Sequence, residues 1–542
     1  DRWLFPHLLS IAEEHGMPFN PNRDQRKQPI SVKENTFTSY GRIMHRDRQT
    51  LLSGRAHIDS QNSMAHEDIG LDGVYEFARL TGLPLQNAAR RSAGGGFTAM
   101  QVRAALQQGI LVPINKKRSE RYKTAEELIV SDRGGVVYQP IVGLHRDVAE
   151  IDFFSMYPSI MDRWNISPET VGRAGGATEF SPAIGRPIAQ DARGIVSDIL
   201  KPVLAKRELS KRLQKQYDPD SPYGRHLATV TETLKWFGWV SYGYQGFSGN
   251  RIGSIEAHEV INDVSRELIL RAKEVAEEHD FEVLHMYVDS LFVRKAGVTD
   301  PEIYYRLIDE MEKRTDIQLK LEGIFRWLVF LPSKQDARVP VPNSYYGVFQ
   351  DGEHKYRGIM LRRGDSPAYI KAVQKRAITM LGKERDFERL PLHLPRLVRY
   401  FQGEHRKLSA GDVPPDQLVI RQRLSRDPEQ FKVLSPAGRA AQQLVAAGRR
   451  PSAGQSVEYL RVIGEPDVVA WELVQAGQVL HLDTDWYCES LLRAAHEILQ
   501  PYGVEQSVLA EWLSAGSSYF RPQDYRNAVK KDLPLFAHSG SS

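Results

Sequence analysis

Two aspartates stand where apolar runs of the sequence end. Asp152 follows the run VAEI and precedes FFSMYPS, and Asp289 follows EVLHMYV and precedes SLFV. A carboxylate at the exit of an apolar strand is costly to desolvate unless a positive group meets it. For either residue taken alone, capping a turn or pairing with an arginine is the commoner role. The two aspartates therefore indicate a candidate site, but they do not identify the reaction that occurs there.

Basic residues cluster between positions 201 and 215. The helical pattern of this segment places Arg207 and Lys211 one turn apart on the same face, which suits them to hold a phosphate group together. The simpler interpretation is a solvated helix face, because most runs of charge are no more than that. The basic residues are Lys201, Lys206, Arg207, Lys211, Arg212 and Lys215, against the single acid Glu208.

The elements that must position these side chains alternate between strands and helices. Residues 134–154 predict two strands around a turn, and residues 195–217 and 224–242 predict two helices separated by the breaker DPDSPYG. A long amphipathic helix over residues 254–280 leads into two short strands joined by a tight turn at Val288–Asp289. After Pro367 the pattern is mostly helical. This order predicts an α+β fold with an interrupted sheet.

Length and composition limit the classes of protein to which this chain can belong. A chain of 542 residues is too long for one core and predicts three or four structural units. Its single cysteine, Cys488, excludes an internal disulfide, a cysteine-based zinc site and an iron–sulfur cluster. No apolar run approaches the roughly 20 residues that span a bilayer, so we expect no membrane partner. The net charge of +4 permits nucleic-acid binding without arguing for it.

Three motifs of this chain resemble those of B-family DNA polymerases and occur in the family's order. DFFSMYPS, which begins at Asp152, is similar to DxxSLYPS, and KWFGWVSYG, which begins at Lys235, is similar to KxxxNSxYG. VDS, around Asp289, is similar to the end of YGDTDS. The resemblance extends from about residue 70 to the end of the chain. It implies a right-hand polymerase fold with an antiparallel-sheet palm, helical-hairpin fingers and a mostly helical thumb.

The resemblance also implies a function, namely template-directed addition of dNTPs to a primer 3′-hydroxyl. Primer–template DNA and dNTPs would be the partners, with a sliding clamp or other replication proteins as further candidates, and the location would be cytoplasmic, at the nucleoid. The expected units are an exonuclease-like remnant and connector at 1–130, the palm at 131–189 and 244–369, the fingers at 190–243 and the thumb at 370–542.

By the same resemblance, Asp152 and Asp289 would be catalytic and, with the backbone carbonyl of Phe153, would hold two Mg²⁺ ions, or Mn²⁺ in their place. Such ions clamp the attacking and leaving oxygens of phosphoryl transfer, and Mg²⁺ usually takes only one or two protein carboxylates. Tyr157 would block a ribose 2′-hydroxyl. The residues expected at the dNTP are Ser155, Met156, Tyr157, Arg207, Lys211, Lys235 and Tyr242. The residues expected at the DNA are Gly243, Tyr345, Arg421 and Arg423.

Departures from the family's pattern resemble a divergent archaeal and bacterial branch. Trp239-Val240 replaces Asn-Ser, Tyr287-Val288 replaces the first Asp and Thr of DTD, and PNSY at 342–345 lacks the basic residues of KKRY. A second DTD begins at Asp483, but it precedes an amphipathic helix, and we expect Asp483 or Thr484 to cap that helix.

Two rival hypotheses remain. One is a catalytically weak or inactive polymerase-fold protein that binds primer–template DNA as a replication or repair accessory. The other is a nucleotidyltransferase with relaxed use of a template. Retention of both Asp152 and Asp289 favours an enzyme over the accessory, because DNA binding alone has no use for paired acids facing phosphates.

The N-terminal part resembles the C-terminal portion of the family's 3′–5′ exonuclease domain. The family's DxE motif would lie before residue 1, and MAHED at 64–68 has Met64 where the YxxxD motif has Tyr. A two-metal nuclease needs about four carboxylates, and Asp1, Asp59 and Asp68 are not a convincing set. We therefore expect a structural remnant without nuclease activity.

Overall fold

The computed structural model describes residues 3–39, 42–60, 62–115, 120–131, 133–336 and 338–515. The fold mixes helices with antiparallel sheets, as predicted. The strands are β1 (Ile30–Val32), β2 (Asn35–Ser39), β3 (Arg42–Arg46), β4 (Gln49–Leu51), β5 (Val137–Tyr138), β6 (Gly143–Phe153), β7 (Thr178–Phe180), β8 (Pro187–Ala189), β9 (Glu282–Tyr287), β10 (Ser290–Arg294), β11 (Leu319–Pro332), β12 (Pro340–Phe349), β13 (His354–Arg357), β14 (Ile420–Arg423), β15 (Ser456–Arg461) and β16 (Val468–Ala470).

The helices pack around these sheets. They are α1 (Leu4–Glu14), α2 (Met64–Thr81), α3 (Leu85–Ala89), α4 (Ala93–Gln107), α5 (Ala125–Ser131), α6 (Met156–Arg163), α7 (Ile195–Gln214), α8 (Pro222–Gly243), α9 (Ile255–Glu278), α10 (Pro301–Thr315), α11 (Ala368–Gly382), α12 (Leu394–Ala410), α13 (Pro436–Ala446), α14 (Thr484–Leu499) and α15 (Gln506–Ser514). None of the helices described is long and apolar enough to cross a membrane.

A seven-stranded antiparallel sheet, the central sheet, forms the middle of the molecule in the order β13-β12-β11-β6-β10-β9-β5. Strand β6 lies between β11 and β10, and most of its side chains are buried, including the polar His145 and Glu150. The two strands expected around a turn at 134–154 are present, but they do not pair with each other. The shorter, β5, pairs with β9 at the sheet edge.

The predicted long helix and strand hairpin are confirmed next to β6. Helix α9 is capped by the Ser254 side chain, which accepts a hydrogen bond from the Ala257 backbone N–H, and its apolar stripe faces the core. Strands β9 and β10 then pair across a two-residue turn at Val288–Asp289. Val288 adopts a φ of 61°, which is strained for a β-branched residue, and its N–H donates to Val136 O at 2.9 Å.

The predicted helix pair is also confirmed, as α7 and α8. Helix α7 ends at Gln214, earlier than the predicted residue 217, because the DPDSP breaker follows closely. Helix α8 begins with Pro222 at its first position and with the Ser221 hydroxyl accepting from the Gly224 N–H. The two helices pack against each other and against α6, which follows β6 directly.

The N-terminal helices α2 and α4 pack on α8 and share the core that lies under the central sheet. Phe77 and Phe237 lie 5.2 Å apart between ring centroids. At Gly94 an added Cβ would fall 1.7 Å from the ring of Tyr244, so only glycine permits this approach. This part of the chain therefore braces the helix pair.

The C-terminal region, residues 368–515, contains helices α11 to α15, as predicted, together with a small three-stranded sheet in the order β14-β15-β16. It has its own core, which also covers part of β11 and β12. The Asp483 carboxylate accepts from the Trp486 N–H at 3.0 Å, and this confirms that the second DTD sequence caps a helix.

Candidate functional site

Asp152 and Asp289 lie on adjacent strands of the central sheet. Asp152 is the penultimate residue of β6 and is paired in register with Ser290, the first residue of β10. Asp289 precedes Ser290 in the hairpin turn, and its carbonyl accepts from the Phe153 N–H at 2.9 Å. Antiparallel pairing thus brings together two aspartates that are 137 positions apart in the sequence.

A positive group beside Asp152 and Asp289 would stabilise the charged forms of these two partly buried carboxylates. Both residues are half-buried, and within the described residues no donor meets Oδ1 of Asp152, which is shielded from solvent. Burial raises the pKa of Asp152, and burial together with the charge of Asp152 raises the pKa of Asp289 to about 6. An unpartnered buried carboxylate oxygen beside a second acid fits a divalent cation. The carboxylates of Asp152 and Asp289 supply hard oxygen donors of the kind that suits Mg²⁺.

The two aspartates line a cavity of about 550 Å³ between the central sheet and the helix pair, here called the central cavity. Its sheet side carries residues that the sequence analysis missed. Lys355 Nζ lies 2.7 Å from Oε2 of the buried Glu150, two residues before Asp152. Burial and the charge of Asp152 raise the pKa of Glu150 to about 7. Other residues of this wall are Lys320, Glu322, Asn343, Arg357 and Arg362.

The helix pair supplies three cations to the same cavity, as the sequence analysis predicted. Arg207 donates from Nη1 to Ser155 Oγ at 2.5 Å, and its guanidinium carbon lies 5.1 Å from the ring centroid of Phe154. Lys211 Nζ lies 5.3 Å from the same centroid. Burial and the neighbouring Arg207 lower the pKa of Lys211 to about 8. Lys235, from α8, is the third cation of the cavity wall.

Two other basic residues of α7, Lys206 and Arg212, do not line the central cavity. Lys206 pairs with the buried carboxylate of Glu76 on α2, and Arg212 is exposed. Sequence alone could not show that Lys206 has a structural partner 130 positions away, because that contact depends on how α2 packs.

Aromatic rings form a stack beside the aspartates. The Tyr157 and Tyr242 rings are 4.0 Å apart at an interplanar angle of 13°, and Tyr242 stacks on His258 at 4.3 Å. The Tyr242 hydroxyl donates to Asn262 Oδ1 at 2.8 Å. Tyr157 lines the central cavity, whereas Tyr242 supports it from behind. The structure therefore holds Tyr157 in one orientation.

Comparison with known proteins agrees with this geometry. The family model described as DNA polymerase family B matches residues 97–502. The chain belongs to DNA polymerase family B. It is 29% identical over 442 residues to "DNA polymerase 2" of Aeropyrum pernix, covering 80% of this chain and 51% of that one. It is 28% identical over 395 residues to the "DNA polymerase" of Archaeoglobus fulgidus, covering 73% and 47%.

A solved structure shows the same fold. The family B DNA polymerase from Pyrobaculum calidifontis superposes with a TM-score of 0.59 at 24% identity, covering 92% of this chain and 69% of that one. The right-hand fold of the family is therefore present. The chain spans about half the length of the curated relatives it matches.

Four other residues predicted at the dNTP or the DNA differ in their burial and in their contacts. Ser155 has a left-handed φ of 48°, a strained conformation that precedes α6 and turns its hydroxyl toward Arg207. Met156 is almost wholly buried, so its contribution is mainly packing. Tyr345 is buried on β12 against Phe292, at 5.3 Å between centroids, and reaches the cavity wall. Gly243 ends α8.

Arg421 and Arg423 lie away from the central cavity, on β14 of the C-terminal region. They line a cleft of about 780 Å³ whose opposite side is formed by Met44 and Arg46 of β3. Arg421 Nε lies 4.0 Å from Glu458, and Arg423 Nη1 lies 3.1 Å from Met44 Sδ. The structure thus separates these two arginines from the family's dNTP residues.

The N-terminal carboxylates are not arranged like those of the central sheet. Asp68 is exposed on α2, which begins at Met64, and Asp59 lies in an irregular segment. Asp1 falls outside the described residues. Among the residues described, one trio of acids and histidine brings its ligand atoms within 4.8 Å of one another, and it consists of Glu34, His45 and Asp47.

Proposed function

We propose that this chain is a template-directed DNA polymerase that adds dNTPs to the 3′-hydroxyl of a primer and releases pyrophosphate. One observation carries the proposal: the central cavity places Asp152 and Asp289, on adjacent strands, opposite cations of the helix pair. Acids that face a phosphate-binding wall are unfavourable for DNA binding alone, because phosphates are negative. They are useful when divalent cations lie between them and the phosphates.

In this proposal Asp152, Asp289 and the Phe153 carbonyl hold two Mg²⁺ ions, or Mn²⁺. When bound, the ions activate the primer hydroxyl and neutralise the charge on the leaving pyrophosphate. The protein contributes a fixed, partly desolvated site, in which the β6–β10 pairing sets the spacing of the carboxylates. The strained turn at Val288 aims Asp289 at the cavity.

Arg207, Lys211 and Lys235 hold the triphosphate and stabilise charge on the leaving group. Charge-assisted hydrogen bonds of this kind are roughly twice as strong as neutral ones. Arg207 is already oriented, since Ser155 accepts its hydrogen bond and Phe154 lies under it. Little reorganisation is then needed when the nucleotide binds.

Tyr157 forms the floor under the deoxyribose and excludes a 2′-hydroxyl. Its ring cannot easily give way, because Tyr242 stacks on it and is in turn fixed by Asn262 and His258. A rigid ring discriminates by steric exclusion, whereas a mobile one would move aside at little cost.

The other parts of the chain bind primer–template DNA in this proposal. The central sheet corresponds to the palm, α7 and α8 to the fingers, and residues 370–515 to the thumb, while the rest of the predicted thumb, 516–542, lies outside the described residues. Primer–template DNA contacts Gly243 and Tyr345 near the cavity. Arg421 and Arg423 contact its phosphates farther away, and such contacts supply affinity without base specificity.

A primer-extension assay tests the proposal. A 5′-labelled primer is annealed to four templates that differ in the first unpaired base, and each dNTP is offered singly with Mg²⁺ or Mn²⁺. We expect incorporation of the complementary nucleotide only, and no incorporation by Asp289→Ala. Primer–template binding without extension by the wild-type protein would contradict the proposal and favour the accessory role.

A further inference from the structure

A histidine and two acids share one face of the hairpin formed by β2 and β3. Thr36 and His45 lie opposite each other in its ladder. Side chains alternate between the two faces of a strand, so Glu34 and Asp47, each two positions from this pair, project on the same side. The ligand atoms of Glu34, His45 and Asp47 all lie within 4.8 Å of one another. These three residues, here called the hairpin trio, lie outside the central cavity.

Glu34 and Asp47 face each other at a break in the strand pairing. The β2–β3 ladder stops at the residues next to them, and the β1–β4 ladder resumes beyond them in the same register. The two acids are therefore cross-strand neighbours. Like charges directly opposite each other on paired strands are destabilising. A cation held between the two carboxylates would remove this repulsion.

His45 is arranged like a metal-binding imidazole. Its side chain is only 4% exposed, and its Nδ1 lies 2.8 Å from the Thr36 hydroxyl oxygen. Metal-bound imidazoles almost always donate their other ring N–H to such an acceptor. With that proton on Nδ1, Nε2 carries a lone pair and lies 3.3 Å from Oδ1 of Asp47. Two ligands held about 2.1 Å from one tetrahedral ion have a similar spacing, about 3.4 Å.

The C-terminal region supports the hairpin beside the trio. A Cβ added to Gly454 would fall 2.6 Å from the Ile43 carbonyl oxygen and 2.9 Å from the His45 backbone nitrogen, so the two backbones are in close contact. Gln455 Nε2 lies 3.5 Å from Oδ1 of Asp47. The backbone of β3 is therefore held in place where it presents His45. A metal bound there would need little rearrangement of that strand.

We propose that the hairpin trio is a Zn²⁺ site, separate from the acids of the central cavity. One imidazole nitrogen and two carboxylate oxygens, with water in a fourth position, are ligands that Zn²⁺ takes. Mg²⁺ prefers oxygen ligands alone, so the imidazole selects against the ion proposed for the central cavity. The bound Zn²⁺ neutralises the opposed acids and fixes the hairpin where it meets the C-terminal region.

Isothermal titration calorimetry of the metal-stripped protein with Zn²⁺, in excess Mg²⁺, tests the proposal. We expect the wild type to bind one Zn²⁺ and Asp289→Ala to bind it equally well. His45→Gln should abolish this binding. Thr36→Val should weaken it by about tenfold, because the imidazole loses the acceptor that orients it. His15→Gln, which removes an exposed histidine outside the trio, is the matched control and should behave like the wild type.

A stability measurement keeps the test decisive if His45→Gln fails to fold. Glu34 is exposed, so Glu34→Gln should retain the fold. Zn²⁺ should raise the melting temperature of the wild type, because an ion that binds the folded state stabilises it, and should raise that of Glu34→Gln much less. A wild type that binds no Zn²⁺, or equal responses of wild type and Glu34→Gln, would overturn the site. Binding lost in Asp289→Ala but retained in His45→Gln would place the ion in the central cavity and would also overturn it.

Discussion

The central cavity and the N-terminal part of the chain both carry carboxylates that family resemblance connects with two-metal chemistry. The two sets of carboxylates differ in where the backbone places them and in how far they are buried. At the cavity, Asp152 and Asp289 end paired strands, and Oδ1 of Asp152 is shielded from solvent without a donor among the described residues. In the N-terminal part, Asp68 is exposed on a helix and Asp59 is in an irregular segment. Acids become a metal site only where the backbone concentrates them in a partly desolvated place.

The N-terminal part has a different use in this chain. Helices α2 and α4 fill the space beside α8, and the Phe77–Phe237 contact and the close approach of Gly94 to Tyr244 fix that packing. In the proposed function the central cavity therefore supplies the chemistry, and the N-terminal part supports the helices that carry the cations. Substitutions in the two regions should therefore have very different effects on primer extension.

The largest effect should come from the aspartates. Asp152→Ala and Asp289→Ala should each abolish primer extension, because each removes a ligand that the cations require. Affinity for primer–template DNA, measured by fluorescence anisotropy, should remain within about twofold, since it comes mainly from cations on phosphates. Robust extension by either variant would show that the central cavity does not hold the catalytic site.

Sugar selection should be the next largest effect. Tyr157→Ala should raise the relative kcat/KM for rNTPs by about tenfold or more while dNTP incorporation stays measurable, because the 2′-hydroxyl no longer meets a fixed ring. Tyr157→Phe keeps that ring on Tyr242 and is the matched control. If Tyr157→Ala discriminates against rNTPs as well as wild type does, selection lies elsewhere.

The cations of the helix pair should have an intermediate effect. Neutralising Arg207, Lys211 or Lys235 should raise the KM for dNTP or lower kcat by about tenfold, the loss expected for one charge-assisted interaction. The exposed Arg212 is the matched control, and its replacement should change little. Equal, mild effects at all four positions that fade in salt would point to a solvated basic face instead.

Replacing Lys206 should affect stability rather than nucleotide binding. Lys206→Ala would leave the buried carboxylate of Glu76 without its lysine, so the free energy of unfolding should fall by about 1–2 kcal/mol. The KM for dNTP should remain unchanged, because the side chain faces α2. A raised KM with an unchanged melting temperature would contradict this structural role.

The lowered pKa of Lys211 predicts a dependence on pH. Because that pKa is about 8, the ammonium should lose its proton as the pH rises through that value. The KM for dNTP should therefore increase above pH 8 in the wild type. Arginine keeps its charge, so in Lys211→Arg the increase should be absent. The same rise in both proteins would assign the titration to another group.

Local patterns predicted much of this molecule. Strand β6, helices α7 to α9 and the hairpin at Asp289 follow from apolar periodicity and breakers, and family motifs identified some of the residues that line the cavity, among them Asp152, Tyr157 and Lys235. Local patterns did not reveal the Glu150–Lys355 pair or the contact of Lys206 with Glu76, because both join distant segments. The small sheet of β14 to β16 was also not predicted, because its short strands lie among helices and have a weak alternation of their own.

The smallest effect should be at Asp68. We expect no 3′–5′ exonuclease activity of this chain on a mismatched primer, and no difference between wild type and Asp68→Ala. A two-metal nuclease needs acids that converge on one phosphate, whereas Asp68 lies exposed on α2 and Asp59 lies outside any helix or strand. The assay follows loss of the 3′ nucleotide with Mg²⁺ in the absence of dNTPs, with Asp289→Ala as the second control. Degradation that Asp68→Ala abolishes and Asp289→Ala retains would show that the N-terminal part has kept a metal site. It would then be an enzyme in its own right, and its packing against α8 would couple two active sites.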